Sequence, residues 1–148
     1  MGRFDNAIKF LASHEDPKKR RMNRRTTISL EEVHAIRAQH IGIPNDYIDY
    51  LTEIGWGSFR ECQYMVYRCP IKPESIFGVD VTRSLKKRVV CFGDNFSGDA
   101  GCFLPDSDWA IAEIWHDDLK LVETNKSFTT FIREQMLMDE NGSDLRLT

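Results

Sequence analysis

Residues 89–118 read VVCFGDNFSGDAGCFLPDSDWAIAEIWHDD, and this stretch decides the fold class of the 148-residue chain. Short apolar runs alternate with breaks of Gly, Asp, Ser and Pro, which is typical of β-strands joined by tight turns. The last run, residues 109–115, is largely apolar on both alternating faces and predicts a central strand covered on both sides. The stretch has no Lys or Arg and seven carboxylates, at Asp94, Asp99, Asp106, Asp108, Glu113, Asp117 and Asp118. Together with Trp109 and Trp115, these acids predict a binding surface at the rim of a sheet.

Helical signals flank this stretch on both sides. Ser29 begins a capping box, and Pro44 opens a second helix that Gly55 ends as a left-handed cap. Ser127 caps a last helix, and the apolar spacing of residues 5–14 predicts a short first one. We therefore expect an α+β fold, with a single, mostly antiparallel sheet and helices packed around it.

The length of the chain indicates one domain with two short flanking segments. Residues 1–28 are expected to be an N-terminal helix and a basic linker, residues 29–138 the domain, and residues 139–148 a polar, frayed C-terminal tail. Within the domain, residues 58–69 alternate between apolar and polar side chains and predict one half-buried strand. Residues 82–88 predict either a helical turn or a loop.

Charge is unevenly distributed along the chain. Residues 18–25, KKRRMNRR, hold six of the 20 basic residues, which leaves 14 basic and 23 acidic residues elsewhere, a balance of −9. Nucleic-acid binding needs a positive footprint, so the main surface is not expected to contact nucleic acid directly. The basic run is interpreted as a solvated linker, because like charges repel and stay extended; a phosphate- or acid-binding patch is the alternative.

Targeting and cysteine signals point to the cytoplasm. The N-terminal MGRFDNAIKFLASH has no uninterrupted apolar core, so a secretory signal is not expected. No apolar run approaches the ~20 residues that span a bilayer, and no membrane partner is expected. The four cysteines form no CxxC pair and lie in strand-like apolar runs, where a free thiol acts as a small core residue.

The acidic stretch could also perform chemistry, but its spacing selects no particular site. A calcium-binding EF-hand loop starting at Asn95 would need Gly where Ala100 stands, and flanking helices are missing. No GxSxG, phosphate-cradling Gly-rich loop with Lys, or HExxH is present, so neither a cofactor nor a metal is expected. A looser metal or acid/base site stays open as an alternative, built from Asp94, Asp99, His116 and Asp117.

Four segments, in this order, resemble motifs of the SUKH domain family. Residues 43–57 (IPNDYIDYLTEIGWG) are similar to the helix that opens these domains, and residues 92–103 (FGDNFSGDAGCF) to their central strand–turn–strand. Residues 109–118 (WAIAEIWHDD) resemble the following strand, and residues 127–132 (SFTTFI) the closing helix. The resemblance covers roughly residues 29–138 and implies an α+β fold with helices around a single sheet.

The family includes the fungal Smi/Knr-type cell-wall regulator and many bacterial proteins. For a bacterial member, the resemblance implies an immunity protein that binds a cognate toxin, often a nuclease, and blocks it. Nothing is transferred to residues 1–28, which depart from the family pattern.

The first hypothesis is a non-catalytic, cytoplasmic protein that binds a basic protein toxin through an acidic, aromatic surface. Its expected contacts are Trp56, Asp94, Asp99, Asp108, Trp115 and Asp117. The second hypothesis is a small hydrolase or metal-dependent enzyme that uses the same carboxylates. A third is a scaffold akin to the fungal regulator, which would bind host proteins instead of a toxin.

Overall fold

The computed structural model describes residues 2–78, 85 and 88–147. Within them the chain forms one seven-stranded antiparallel sheet whose strands lie side by side in sequence order, so the sheet is a continuous meander. The strands are β1 (Arg25–Thr26), β2 (Trp56–Phe59), β3 (Tyr64–Ile71), β4 (Val90–Asp94), β5 (Ala100–Leu104), β6 (Ala110–Trp115) and β7 (Lys120–Glu123). The predicted α+β class with a single antiparallel sheet is confirmed.

Five α-helices accompany the sheet in the described residues. They are α1 (Asp5–His14), α2 (Leu30–Gln39), α3 (Asn45–Glu53), α4 (Glu74–Phe77) and α5 (Phe128–Gln135). The predicted caps are present: Ser29 Oγ accepts from the Glu32 N–H at 3.2 Å, and Ser127 Oγ accepts from the Thr130 N–H at 3.1 Å. Gly55, at φ +104°, follows α3, as a left-handed helix end requires.

The two faces of the sheet are covered differently. On one face, α1, α2, α3 and α5 enclose a large core rich in aromatic rings, including Tyr47, Phe92, Phe103, Phe128 and Phe131. The other face carries a smaller core of Cys91, Cys102, Ala112 and Ile114, against which side chains of α4 pack. Strand β6 contributes Ile111 to the first core and Ala112 to the second, so it is covered on both sides, as predicted.

The single strand predicted over residues 58–69 is wrong, because these residues form a hairpin. Strand β2 ends at Phe59, β3 begins at Tyr64, and the turn between them places Arg60, Glu61 and Cys62 in the left-handed region, at φ +49°, +54° and +62°. None of these residues favours such a turn locally.

Contacts from the N-terminal segment hold this turn. The backbone N–H groups of Arg60, Glu61 and Cys62 donate to Glu15 Oε2, Asn23 Oδ1 and Met22 O, at 2.8, 2.7 and 3.1 Å. The turn is therefore specified by distant residues and not by its own sequence.

Both flanking segments pack against the rest of the fold. Strand β1 pairs with β2, with Arg25 opposite Gly57, so the basic run ends in the sheet and not in a separate linker. In the C-terminal segment the Asp144 side chain is buried, and its backbone bridges to Met138, so this segment is not frayed there. Most of residues 82–88, expected as a helical turn or a loop, lie outside the described residues. None of the helices described has the length and apolar character needed to cross a lipid bilayer.

Candidate functional site

The turns of the meander alternate between the two ends of the sheet, because each strand reverses the direction of the one before it. The β4–β5 turn (95–99) and the β6–β7 turn (116–119) lie at one end, and the β5–β6 turn (105–109) lies at the other. The register agrees with this, since Ala100 at the start of β5 pairs with Ile114 near the end of β6. We call the first end the acidic end and define it by Asp94, Phe96, Asp99, Trp115, His116, Asp117 and Asp118.

The β4–β5 turn is folded around its own polar side chains. Asp94 Oδ1 accepts from the Phe96 N–H at 2.8 Å, and Asp94 Oδ2 accepts from the Tyr67 hydroxyl at 2.6 Å. Burial and this bond to Asp94 raise the pKa of Tyr67, so the phenol stays protonated and keeps donating. Asn95 Oδ1 accepts from the N–H groups of Ser97 and Asp99. The turn is thus rigidly specified and leaves Phe96, at φ +64°, pointing to solvent.

A histidine lies between two carboxylates at the same end. His116 Nδ1 is 2.8 Å from Asp99 Oδ1, and His116 Nε2 is 3.0 Å from Asp117 Oδ1. The hydrogen bond to Asp99, reinforced by the charge of Asp117, raises the pKa of His116. Partial burial alone would raise the pKa of Asp99, but the backbone and ring N–H groups of His116 and the Asn95 amide outweigh burial and lower it. The imidazole therefore ties the β4–β5 turn to the β6–β7 turn.

Two aromatic side chains are presented beside these acids. Phe96 is 50% exposed and Trp115 is 43% exposed, which is unusual for side chains of this size. The Lys120 ammonium lies 6.0 Å from the centroid of the Trp115 ring, on the neighbouring strand. Aromatic rings are enriched in protein–protein contacts, and carboxylates around them can steer a basic partner toward the surface.

The structure brings four of the six expected contact residues together and leaves two elsewhere. Asp94, Asp99, Trp115 and Asp117 lie at the acidic end. Asp108 is exposed in the β5–β6 turn, at the opposite end of the sheet, because successive turns of a meander alternate.

Trp56 also lies away from the acidic end, as the first residue of β2, two strands from β4. Its ring is half-buried and has the Arg68 guanidinium 5.9 Å from its centroid, and Arg68 pairs with Glu32 on α2. Trp56 therefore packs against the edge of the helix-covered core. The expectation of one surface built from all six residues needs correction, because strand order separates Trp56 and Asp108 from the others.

Phe96 belongs to the acidic end but was not among the expected contact residues. Its apolar side chain in a run of polar and Gly residues is the signal that could have found it, since a five-residue turn has no interior in which to bury a ring. Which turns share an end of the sheet depends on the order of the strands in it, and the structure establishes that order as the order along the chain.

Three carboxylates of the acidic end have partners within the chain. Asp94 is held by Tyr67 and the turn backbone, whereas Asp99 and Asp117 are held by His116. In the part of the chain that the structure describes, no group of three or more His, Cys, Asp or Glu side chains is arranged to hold a metal ion. The arrangement can present negative charge and an imidazole held between two carboxylates to a partner.

Comparisons of the chain with protein-family models, with curated proteins and with solved structures find no match. The resemblance to the SUKH family stays a prediction made from four sequence segments.

Proposed function

We propose that this chain is a non-catalytic, cytoplasmic binding protein of the SUKH type, which neutralises a basic protein toxin by covering it with the acidic end. The observation that supports this most directly is the grouping of Phe96 and Trp115, both partly exposed, with four carboxylates at one end of a rigid sheet. Those carboxylates are Asp94, Asp99, Asp117 and Asp118.

The aromatic rings of Phe96 and Trp115 and the carboxylates around them contribute differently to the proposed interface. Partly exposed aromatic rings supply contact area with few rotatable bonds, which is why they dominate interface energies. Carboxylates around them attract a basic partner over distance and speed its association. A nuclease toxin is basic where it holds its substrate, so an acidic cover would also exclude nucleic acid from that groove.

Trp56 and Asp108 are not part of the proposed interface, because they lie away from the acidic end. This separation supplies a matched control. Asp106 and Asp108 are two exposed acids in the β5–β6 turn, and Asp117 and Asp118 are two exposed acids in the β6–β7 turn. Neutralising either pair changes the net charge equally, but only the second pair belongs to the proposed interface.

The test starts with the genes that neighbour the one for this chain. A basic toxin domain encoded there is purified in a catalytically inactive form, and the lack of any such neighbour would count against a toxin-neutralising role. Calorimetry should give a complex with the native chain, and Trp115→Ala should weaken it by about 30-fold, the loss of a hot-spot residue. Asp117→Asn with Asp118→Asn should slow association at low salt, whereas Asp106→Asn with Asp108→Asn should leave the rate unchanged. Equal effects of the two acidic pairs, or full affinity in Trp115→Ala, would contradict the proposed interface.

A further inference from the structure

A second concave site lies between α1 and the basic run, residues 18–25. It is an open cavity of about 950 Å³, a volume in the range of small-molecule sites. Its wall combines apolar and acidic residues of the α1 end with the arginines of the run, among them Leu11, Glu15, Pro17, Arg20, Arg21 and Arg24.

The basic run is anchored to the sheet through its backbone and the side chains of Asn23 and Arg25, and Arg25 Nη1 donates to Ser58 O at 3.1 Å. Met22 O accepts from Ser58 Oγ at 2.9 Å and from the Cys62 N–H at 3.1 Å. The Asn23 amide donates to Glu61 Oε2 at 2.7 Å. The arginines on either side are therefore carried on a backbone held in place, which favours a formed site over an extended, solvated linker.

The cavity wall has an excess of positive charge. Glu15 holds Arg25 with two hydrogen bonds of 2.8 and 2.7 Å, so that this pair is internally neutral. The side chains of Arg20, Arg21 and Arg24 make no hydrogen bond or ion pair with the residues that the structure describes. Asp16 is the other carboxylate of the wall, which leaves a balance of two positive charges. Arg20, Arg21 and Arg24 are exposed, so their guanidinium groups are available to an anion that enters the cavity.

We propose that this cavity binds a compact ligand with several linked phosphates, such as inorganic polyphosphate or a nucleoside triphosphate. A guanidinium group binds phosphate oxygens with a pair of parallel hydrogen bonds. Three guanidinium groups therefore suit a ligand with three linked phosphates better than a ligand with a single phosphate.

The charge of the rest of the chain favours a compact ligand over a nucleic acid. Outside the basic run the balance is −9, and the acidic end lies at the same end of the sheet as the β2–β3 turn that Met22 contacts. A ligand that fits inside the cavity is attracted by the arginines within a screening length of about 8 Å. A long strand would leave the cavity and meet the carboxylates, which repel it.

The test is calorimetry of the full chain with sodium tripolyphosphate, a nucleoside triphosphate, orthophosphate and a single-stranded oligonucleotide. Tripolyphosphate should bind saturably below about 1 mM, more tightly than orthophosphate, and more weakly as salt is added. Arg20→Gln with Arg24→Gln should weaken this binding at least about tenfold, through loss of charge-assisted hydrogen bonds. The matched control, Arg37→Gln with Lys72→Gln, removes the same charge from exposed positions outside the cavity and should leave the affinity unchanged.

The outcomes distinguish a nucleotide ligand from inorganic polyphosphate, and a specific site from nonspecific attraction by positive charge. Tighter binding of the nucleoside triphosphate than of tripolyphosphate would assign the ligand to nucleotides, and the reverse order to inorganic polyphosphate; either supports the proposal. Absence of saturable binding by both, or equal weakening in the control variant, would overturn it. Tightest binding by the oligonucleotide would also overturn it, in favour of a nucleic-acid site. Circular dichroism confirms that each variant is folded.

Discussion

The buried ion pair between Arg60 and Asp144 leads to a sharp stability prediction. Arg60 Nη2 is 2.8 Å from Asp144 Oδ2, and the side chains are only 2% and 6% exposed. Arg60 Nη1 donates to Met136 O at 2.9 Å, and its guanidinium lies 5.3 Å from the centroid of the Phe10 ring. The pair thus joins the β2–β3 turn to the C-terminal segment. Asp144→Asn removes one charge of the pair and leaves the guanidinium buried without a counter-charge.

The expected loss follows from the burial of the pair. Leaving a buried partner uncompensated costs about 3–5 kcal/mol. Asp144 lies just beneath the surface, where water screens its charge, so the lower value of about 3 kcal/mol applies. In a domain of this size that corresponds to a fall in Tm of about 6–12 °C. Urea unfolding followed by tryptophan fluorescence measures the change in the free energy of unfolding.

The same chain contains a matched control. Arg3 Nε lies 2.8 Å from Asp49 Oδ2, but these side chains are 46% and 36% exposed. Residue types and distance are the same as in the buried pair, so that burial is the main difference. Asp49→Asn should therefore cost less than about 1 kcal/mol. Arg60→Met combined with Asp144→Asn should lose less stability than Asp144→Asn alone, since no buried charge is left unpaired.

The dependence on pH gives a further check on the same variant. Burial would raise the pKa of Asp144, but the Arg146 N–H and the Arg60 guanidinium outweigh burial and lower it. A lowered carboxyl pKa contributes stability above its ordinary value of about 3.9, and that contribution is lost as the pH falls through the lowered pKa. The free energies of unfolding of the native chain and of Asp144→Asn should therefore become equal in acid. Equal costs of Asp144→Asn and Asp49→Asn at neutral pH would refute the reasoning.

Three further predictions concern single residues. NMR titration should give His116 a pKa above about 6.5, and Asp99→Asn should bring that pKa back toward about 6.5. The interaction between protonated His116 and Asp99 stabilises the fold below about pH 6.5, and this contribution is lost as the pH rises through the raised pKa. Gly101→Ala should cost about 1–3 kcal/mol in urea unfolding, because the added Cβ would lie 2.3 Å from the buried hydroxyl of Tyr64, and an unchanged midpoint would contradict this. Ser29→Ala should cost about 1 kcal/mol through loss of the capping box, and Ser13→Ala, outside any cap, serves as its control.

Local signals predicted the parts of the fold that local chemistry specifies. Ser29 and Ser127 cap helices because a side-chain oxygen three residues before a backbone N–H satisfies it without any tertiary contact. Gly55 ends α3 because a residue without Cβ adopts a positive φ at no steric cost. The β4–β5 turn was equally predictable, since Asp94 and Asn95 accept hydrogen bonds from its own backbone.

The β2–β3 turn could not be predicted in this way. Arg60, Glu61 and Cys62 have no preference for the left-handed region, and their alternation with neighbours favours a continuous strand. The acceptors that hold their N–H groups come from Glu15, Met22 and Asn23, roughly forty residues earlier in the chain. Such a turn exists only once the N-terminal segment has packed beside it.

By itself, the sequence determined the α+β class, the helix ends and an acidic, aromatic stretch arranged as consecutive strands, because each of these depends on residues close together in the chain. Only the tertiary structure decided that Asp94, Asp99, Trp115 and Asp117 share one end of the sheet while Asp108 and Trp56 lie elsewhere. It also decided that the basic run borders a cavity and that Asp144 pairs with Arg60. The physical reason is that strand order and direction set which turns become neighbours, and contacts between distant segments are favourable only after the whole sheet has assembled.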